Sequence, residues 1–199
     1  MTGRVAIIDT GCANLRSLVN AVKRLGIDPT VTADAREIKS ASRLFLPGVG
    51  TAAALMQMIE ERHLADTIRE IRQPVLGICL GMQALCAKSE ETGGVDLLGV
   101  IAADVRLMQT GSLPLPHMGW NETFFDEDAF LFKGLKAGTY FYYVHSYAVK
   151  VGSYTIARSD YGEAFSAAVG QDNFYGVQFH PEKSGASGAR LIANFLEAA

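Results

Sequence analysis

The sequence has few cysteines, a small net charge and no long apolar run, and each of these features excludes a class of protein. Three cysteines among 199 residues are an odd number without the spacing of a disulfide framework, which favours reduced thiols in a cytoplasm. A net charge of -3 provides no basic surface, so no role with nucleic acid is expected. No uncharged apolar run reaches the ~18 residues of a membrane span, so no membrane association is expected. These shortages favour a cytoplasmic globular protein.

Groups with the spacing of metal ligands are also missing. His63 and His117 have no companions at such a spacing, so no metal site is expected. The sequence has no phosphate-binding loop either, and no cofactor is expected.

Strand and helix patterns alternate through the first half of the chain. Four strand patterns occur there, at Arg4–Asp9, Asp28–Thr32, Arg43–Leu46 and Val75–Ile78. The alternation predicts an α/β fold, with a doubly wound, mostly parallel, flavodoxin-like sheet flanked by helices. After Lys88 mostly strand patterns follow, which predicts additional antiparallel strands in the C-terminal half. No repeat or linker divides the chain, so residues 1–199 are expected to form a single domain.

The helical segments of the first half have recognisable ends. Apolar residues from Leu15 to Leu25 recur at helical spacing, and Gly26 closes that helix. Asp34 has the position of a helix cap. A longer helical segment begins at Ala52, and a break near His63 is predicted.

The most informative segment is Gly77-Ile78-Cys79-Leu80-Gly81, a G-x-C-x-G sequence between a strand pattern and a helix pattern. It is the cysteine form of the nucleophile elbow, in which flanking glycines let a sharp turn pack closely. A thiol there lies at a helix N-terminus, which favours the thiolate. The Leu80 N–H points to where an oxyanion would form. Alone, this motif is more typical of a structural cysteine between packing glycines than of a nucleophile.

A strand pattern near the C-terminus ends on Phe179-His180-Pro181-Glu182. Residues two apart in an extended chain face the same side, so His180 and Glu182 are expected to project together. Glu182 can then orient the imidazole while its other nitrogen serves Cys79, which is the logic of a catalytic triad.

The third element is the loop within Leu46–Gly50, where two glycines permit close approach of the backbone to a ligand. A second oxyanion donor must come from a backbone N–H of another loop. Val49 and Gly50 are the candidates, although the loop alone is more typical of an ordinary turn at the end of a strand.

Taken together and in this order, the three elements resemble the class I, triad-type glutamine amidotransferases. The resemblance extends to the branch of glutaminase subunits found in imidazole glycerol phosphate synthases. It rests on segments spread over nearly the whole chain, among them Asn14–Ser17, Pro116–Asn121, Tyr142–Tyr147 and His180–Ser184. One departure is the turn Thr10–Ala13, where an aromatic residue and a further glycine are usual.

The resemblance implies hydrolysis of glutamine to glutamate and ammonia through a thioester on Cys79. It implies that Gln83 and Glu91 hold the amino-acid end of glutamine, with backbone of Ser146 and Tyr147 assisting. Without it, Gln83 would be interpreted as a helix-surface residue and Glu91 as a solvated loop charge.

Free ammonia has no evident use for this chain alone. The resemblance implies a heterodimer with a separate (β/α)8-barrel cyclase subunit, which adds the ammonia to a ribotide in histidine biosynthesis. The interface candidates are Asn14, Trp120, Tyr142 and Lys183, although Trp120 is equally compatible with a core position.

Three other interpretations remain open. A glutaminase of another pathway, such as pyridoxal phosphate synthesis, would share the elbow and the His-Pro-Glu segment but have a different oxyanion loop. A cysteine peptidase or hydrolase on the same fold would act on peptides or esters. A non-enzymatic binding module would have no need of Cys79, His180 and Glu182.

Overall fold

We analysed a computed structural model of the chain, which describes residues 3–11 and 15–197. Asn14 and part of the Thr10–Ala13 turn lie outside the described residues. The strands of the described part are, in chain order, β1 (Val5–Ile8), β2 (Thr30–Thr32), β3 (Arg43–Gly48), β4 (Val75–Cys79), β5 (Lys88–Ser89), β6 (Val95–Asp96), β7 (Asp104–Leu107), β8 (His117–Phe125), β9 (Thr139–His145), β10 (Tyr147–Val149), β11 (Thr155–Asp160), β12 (Ala164–Gln171) and β13 (Phe174–Val177).

The helices follow the sequence patterns closely. They are α1 (Leu15–Arg24), α2 (Ala35–Ser40), α3 (Ala52–Glu61), α4 (Ala65–Arg69), α5 (Leu80–Ala84) and α6 (Gly185–Glu197), with short 3-10 turns at Glu91–Gly93, Phe130–Phe132 and Pro181–Lys183. The predicted break near His63 is confirmed, because that residue has φ 54° and separates α3 from α4. The predicted cap is confirmed too, since the Asp34 carboxylate accepts hydrogen bonds from the backbone N–H groups of Arg36 and Glu37.

A nine-stranded sheet runs through the molecule in the order β2-β1-β3-β4-β13-β12-β11-β8-β9. The five strands from β2 to β13 are parallel, and β12, β11, β8 and β9 continue the sheet in antiparallel pairs. The prediction of a mostly parallel sheet with added antiparallel strands is therefore confirmed. The carboxyl ends of β3, β4 and β13 lie side by side, which brings the three candidate catalytic segments to one edge.

Both faces of the parallel sheet are buried under helices. Alternate strand residues point to opposite faces: Leu44 and Leu46 pack with α3, α4 and α5, whereas Phe45 packs with α1 and α6. Burial on both sides explains why the strands are continuous apolar runs rather than alternating ones.

Strand β3 is longer than the sequence pattern indicated. It continues through Pro47 and Gly48, which pair with Ile78 and Cys79 of β4. A proline is tolerated there because β1, on the other side of β3, pairs only as far as Phe45. The extension places the Val49–Gly50 turn beside Cys79.

A second sheet, in the order β10-β7-β5-β6, lies beyond the elbow. It holds Tyr147 at the start of β10 and the turn of Glu91 between β5 and β6. No helix in the described part of the chain is both long and apolar enough to cross a membrane.

Candidate active site

Cys79 has the backbone conformation of a nucleophile elbow. It is the last residue of β4, directly precedes α5, and has φ 52° and ψ -112°. A non-glycine residue in this region is strained, and such strain is typical of residues held for function. The structure therefore agrees with the elbow predicted from the sequence.

The flanking glycines are required by close packing. A Cβ atom on Gly81 would lie 1.8 Å from the carbonyl oxygen of Leu46, and one on Gly77 would lie 2.7 Å from Cα of Met82. Neither distance is possible for real atoms. The two glycines let the elbow lie against β3 and against its own helix.

His180 and Glu182 form a buried pair beside the elbow. The Nδ1 atom of His180 lies 2.8 Å from Oε1 of Glu182, and the side chains are 5% and 9% exposed. The predicted contact is thus present, but the predicted backbone is wrong: Pro181–Lys183 is a 3-10 turn, not an extended segment. A proline at the first position of that turn needs no N–H partner, which favours the turn over a continued strand.

The electrostatic balance at His180 favours the imidazolium. Burial alone would lower its pKa, but hydrogen bonds and charges from Cys79 and Glu182 raise the pKa to about 9. This folded-state pKa exceeds the ordinary value of 6.5, so protonated His180 and its partners stabilise the fold fully below pH 6.5. That contribution is lost as pH rises through about 9 and His180 loses its proton. Near neutral pH, Cys79 therefore lies beside a positively charged imidazolium.

Glu182→Gln is expected to lower the pKa of His180, because the variant lacks the charge of one of the two groups that raise it. The measurement is an NMR titration of the His180 imidazole. Glu127→Gln is the control variant, because the Glu127 carboxylate accepts a hydrogen bond from the backbone N–H of Ala137 and not from a histidine. An unchanged titration midpoint in Glu182→Gln would show that the carboxylate does not hold the proton on His180.

A cavity of about 180 Å³ opens onto the sulfur of Cys79. Its lining residues come from the elbow, the β3 turn and both halves of the chain: Gly50, Cys79, Leu80, Gln83, Glu91, Pro116, Val144, His145, Ser146 and Tyr147. A larger cavity of about 340 Å³, between Lys88 and Arg106, does not include the thiol. The smaller cavity is the candidate site because it combines a nucleophile with convergent polar groups.

The two oxyanion candidates on the β3 turn differ in position. Gly50 lines the Cys79 cavity, as does Leu80. Val49 is 45% exposed and lines a separate small cavity with His180 and Glu182. Gly50 has φ +100°, a conformation that favours glycine, and nothing lies within 4 Å of the place where a Cβ would be.

Gln83 is buried rather than on a helix surface, with 5% of its area exposed. Its Nε2 atom donates to the carbonyl oxygen of Tyr147 at 2.9 Å and to Oε1 of Gln178 at 2.9 Å. Both amide hydrogens are therefore used within the protein. Toward a ligand, Gln83 can only accept a hydrogen bond through Oε1.

Glu91 is not a freely solvated charge either. Its Oε2 atom accepts a hydrogen bond from the backbone N–H of Ala52 at 2.5 Å. That residue begins α3, so the carboxylate also lies at the positive end of a ten-residue helix. Glu91 thereby ties the cavity wall to the segment that follows Gly50.

The carbonyl groups of Ser146 and Tyr147 are already engaged within the protein. The Ser146 carbonyl accepts from the N–H of Met108, and the Tyr147 carbonyl accepts from Gln83 and from the ring of His145. Both lone pairs of the Tyr147 oxygen are thus used.

Three interface candidates form one group at the surface, in which Trp120 and Lys183 are exposed and Tyr142 is partly buried. Trp120 is 55% exposed, so the alternative of a core position is wrong, and its ring meets that of Tyr142 edge-on at 6.1 Å. The Lys183 ammonium lies 5.9 Å from the Tyr142 ring centroid. The fourth candidate, Asn14, lies outside the described residues.

Gln178 is a site residue that was not predicted from the sequence. This fully buried residue donates from Nε2 to the Cys79 sulfur at 3.7 Å and accepts from Gln83. A usable signal was present: Gln178 lies two residues before His180, at the end of the same apolar strand.

Other reactive side chains are unsuited to the chemistry. Burial raises the pKa of the Cys86 thiol to about 12, which keeps it protonated. Burial lowers the pKa of His145 to about 3, so it does not carry a proton near neutral pH. Within residues 3–11 and 15–197, no three side chains form a group that could hold a metal ion.

Comparison with known proteins agrees with this geometry. The model of the family described as glutamine amidotransferase class-I matches residues 6–199. The chain is 58% identical over 193 residues to imidazole glycerol phosphate synthase subunit HisH of Escherichia coli (strain K12), covering 97% of this chain and 98% of that protein. The same values hold for the HisH subunit of Salmonella typhimurium (strain LT2).

Solved structures share the fold at low sequence identity. The crystal structure of a glutamine amidotransferase superimposes with a TM-score of 0.76 at 21% identity, over 98% of both chains. A glutamine amidotransferase from Thermotoga maritima gives a TM-score of 0.60 at 17% identity, over 98% of this chain and 83% of that one. These structures support the architecture alone.

Proposed function

Because the chain belongs to the class-I glutamine amidotransferase family, we propose that it is the glutaminase subunit of an imidazole glycerol phosphate synthase. The family resemblance inferred from the sequence is confirmed. The chemistry follows from one observation: a strained elbow places Cys79 beside the imidazolium of a buried His180–Glu182 pair. The choice of synthase is supported by the near-complete coverage of the HisH relatives.

In the proposed reaction, the Cys79 thiolate attacks the side-chain amide carbon of glutamine. The oxyanion that forms accepts hydrogen bonds from the N–H groups of Leu80 and Gly50. His180 gives its proton to the departing nitrogen as the carbon–nitrogen bond breaks, which releases ammonia and leaves a γ-glutamyl thioester. Neutral His180 then takes a proton from water, hydroxide attacks the thioester, and glutamate leaves with the thiolate restored.

The polar groups of the cavity fit the amino-acid end of glutamine. Gln83 can only accept, and Glu91 carries a negative charge, so both are assigned to the α-ammonium group. The α-carboxylate is assigned to the backbone N–H groups of Ser146 and Tyr147, since the Tyr147 carbonyl is occupied. The proposal includes a single domain of residues 1–199 that works in the cytoplasm, where thiols stay reduced.

The ammonia is assigned to a partner cyclase with a (β/α)8 barrel, in a heterodimer. The cyclase adds the ammonia to a phosphoribulosyl imidazolecarboxamide intermediate and releases imidazole glycerol phosphate and aminoimidazole carboxamide ribotide. The surface group of Trp120, Tyr142 and Lys183 is the proposed contact surface, because aromatic and cationic side chains are common interface anchors. The Tyr142 carbonyl accepts a hydrogen bond from the backbone N–H of His180, which links this surface to the residue that serves as catalytic base.

The test is glutamate release by the purified chain, alone and with the cyclase subunit and its ribotide ligand. We expect the loaded cyclase to increase glutamate release by the unmodified chain strongly, and to increase it less in the Trp120→Ala variant. The matched control is Val31→Ala on β2, an exposed residue at the opposite edge of the nine-stranded sheet.

The outcomes distinguish the remaining interpretations. Steady hydrolysis that ignores the cyclase would keep the glutaminase but assign it to another pathway. Absence of hydrolysis under every condition would contradict the proposal and leave a peptidase or a binding module.

A further inference from the structure

A buried histidine pair fixes one wall of the cavity. Nδ1 of His117 lies 3.0 Å from Nε2 of His145, and Nδ1 of His145 lies 2.9 Å from the Tyr147 carbonyl oxygen. The Nε2 atom of His117 lies 3.2 Å from the amide nitrogen of Asn121. These contacts form a continuous chain from strand β8 to the cavity.

The direction of every hydrogen bond in this chain is determined. Asn121 Nδ2 donates to the carbonyl of Asp160, so that end of the amide is the nitrogen, and it also donates to His117. His117 must then donate from Nδ1, and His145 must donate from Nδ1 to the Tyr147 carbonyl. The low pKa values of His117, about 4, and of His145, about 3, both caused mainly by burial, keep the pair neutral.

The same polarity continues from Tyr147 to the nucleophile. The Tyr147 carbonyl oxygen can only accept, so the Gln83 atom that contacts it must be the amide nitrogen Nε2. The same nitrogen also donates to Oε1 of Gln178. The Gln178 amide is therefore oriented with its nitrogen toward the Cys79 sulfur, at 3.7 Å. A thiolate can only accept hydrogen bonds, so this orientation suits the charged form of Cys79.

We propose that Gln178 is a positioning residue whose amide joins Gln83, on the glutamine side of the cavity, to the nucleophilic sulfur of Cys79. This inference rests on the proposed function, because it assigns Gln83 to the substrate and Cys79 to the attack. Gln178 does not line the cavity and acts through these two residues. Binding of glutamine by Gln83 and orientation of the sulfur are then supported by a single amide.

Two substitutions separate the contact of Gln178 with Gln83 from its contact with the Cys79 sulfur. Gln178→Met removes both hydrogen bonds at similar volume. Gln178→Glu keeps one carboxyl oxygen as the acceptor for Gln83. Its second oxygen replaces Nε2, so an oxygen and not an N–H donor faces the Cys79 sulfur. Gln171→Met is the matched control, because Gln171 ends β12 and its side chain accepts a hydrogen bond from the backbone N–H of Ala102, which lies outside the elbow.

The first readout is the rate at which iodoacetamide alkylates Cys79, followed by peptide mass spectrometry from pH 5 to 10. Loss of a hydrogen bond to a charged group is expected to slow alkylation of both Gln178 variants roughly tenfold at pH 7. Their profiles should shift to higher pH, and Gln171→Met should match the unmodified chain. A residue that only fills space would not move this profile.

The second readout is the kinetics of glutamine hydrolysis with the cyclase present. Gln178→Met should raise KM, because Gln83 loses a partner, and lower kcat by about tenfold. Gln178→Glu should lower kcat with a smaller change in KM. Alkylation needs neither glutamine nor cyclase, so its result stands even if the proposed reaction is wrong.

Unchanged alkylation profiles in both folded variants would overturn the proposal. If Gln178→Met does not fold, Gln178→Glu decides alone, since it preserves the size and shape of the side chain. A shifted alkylation profile with unchanged KM in Gln178→Met would also contradict it, because the link to Gln83 would then be without effect.

Discussion

Cys79→Ala is expected to reduce glutamine hydrolysis by at least ~10³-fold, because no thioester can form without the sulfur. The substitution keeps Cβ and removes one largely buried atom, so the fold should persist. The measurement is glutamate release with the loaded cyclase. Added ammonium salt should restore product formation by the cyclase, since only the internal supply of ammonia is lost.

Cys86→Ala is the matched control for this loss. Cys86 is fully buried on the core side of the same segment, and burial raises the pKa of its thiol to about 12. We expect its hydrolysis rate to stay close to that of the unmodified chain. Retained hydrolysis in Cys79→Ala, or its loss in Cys86→Ala alone, would move the nucleophile away from the elbow.

Gly81→Ala is expected to have the largest effect on stability. The added Cβ would lie 1.8 Å from the Leu46 carbonyl oxygen, which belongs to the backbone of a buried strand and cannot rotate away. Overpacking of this kind costs about 3 kcal/mol. For a chain of this size, that corresponds to a fall in Tm of roughly 6–12 °C, which calorimetry or circular dichroism can measure.

Gly26→Ala separates steric overlap from backbone strain. Gly26 has φ +81° but nothing within 4 Å of an added Cβ, so only the left-handed conformation is penalised. That penalty is about 1–2 kcal/mol. Equal Tm values for Gly81→Ala and the unmodified chain would mean that the elbow does not pack against β3 as described.

The parallel half of the fold was predictable because its signals are local. Each βα unit shows an apolar run followed by helical spacing, and a buried parallel sheet is the architecture that satisfies such a pattern. The C-terminal strands were recognisable as strands, but the length of β3 through Pro47 was not. Whether a proline fits in a strand depends on where the neighbouring strand ends, which is a property of the assembled sheet.

The elbow at Cys79 and the pairing of His180 with Glu182 were predictable from local sequence, because both depend on residues within a few positions of each other. The assembled fold was needed to show that Gly50 rather than Val49 lines the cavity, that Trp120 is exposed, and that Gln178 contacts the sulfur. It also decided the backbone around Pro181, a 3-10 turn instead of an extended segment. These features depend on residues far apart in the sequence. Gln178 contacts Gln83 and Cys79 only because β13 lies beside β4, an arrangement set by the packing of the whole sheet.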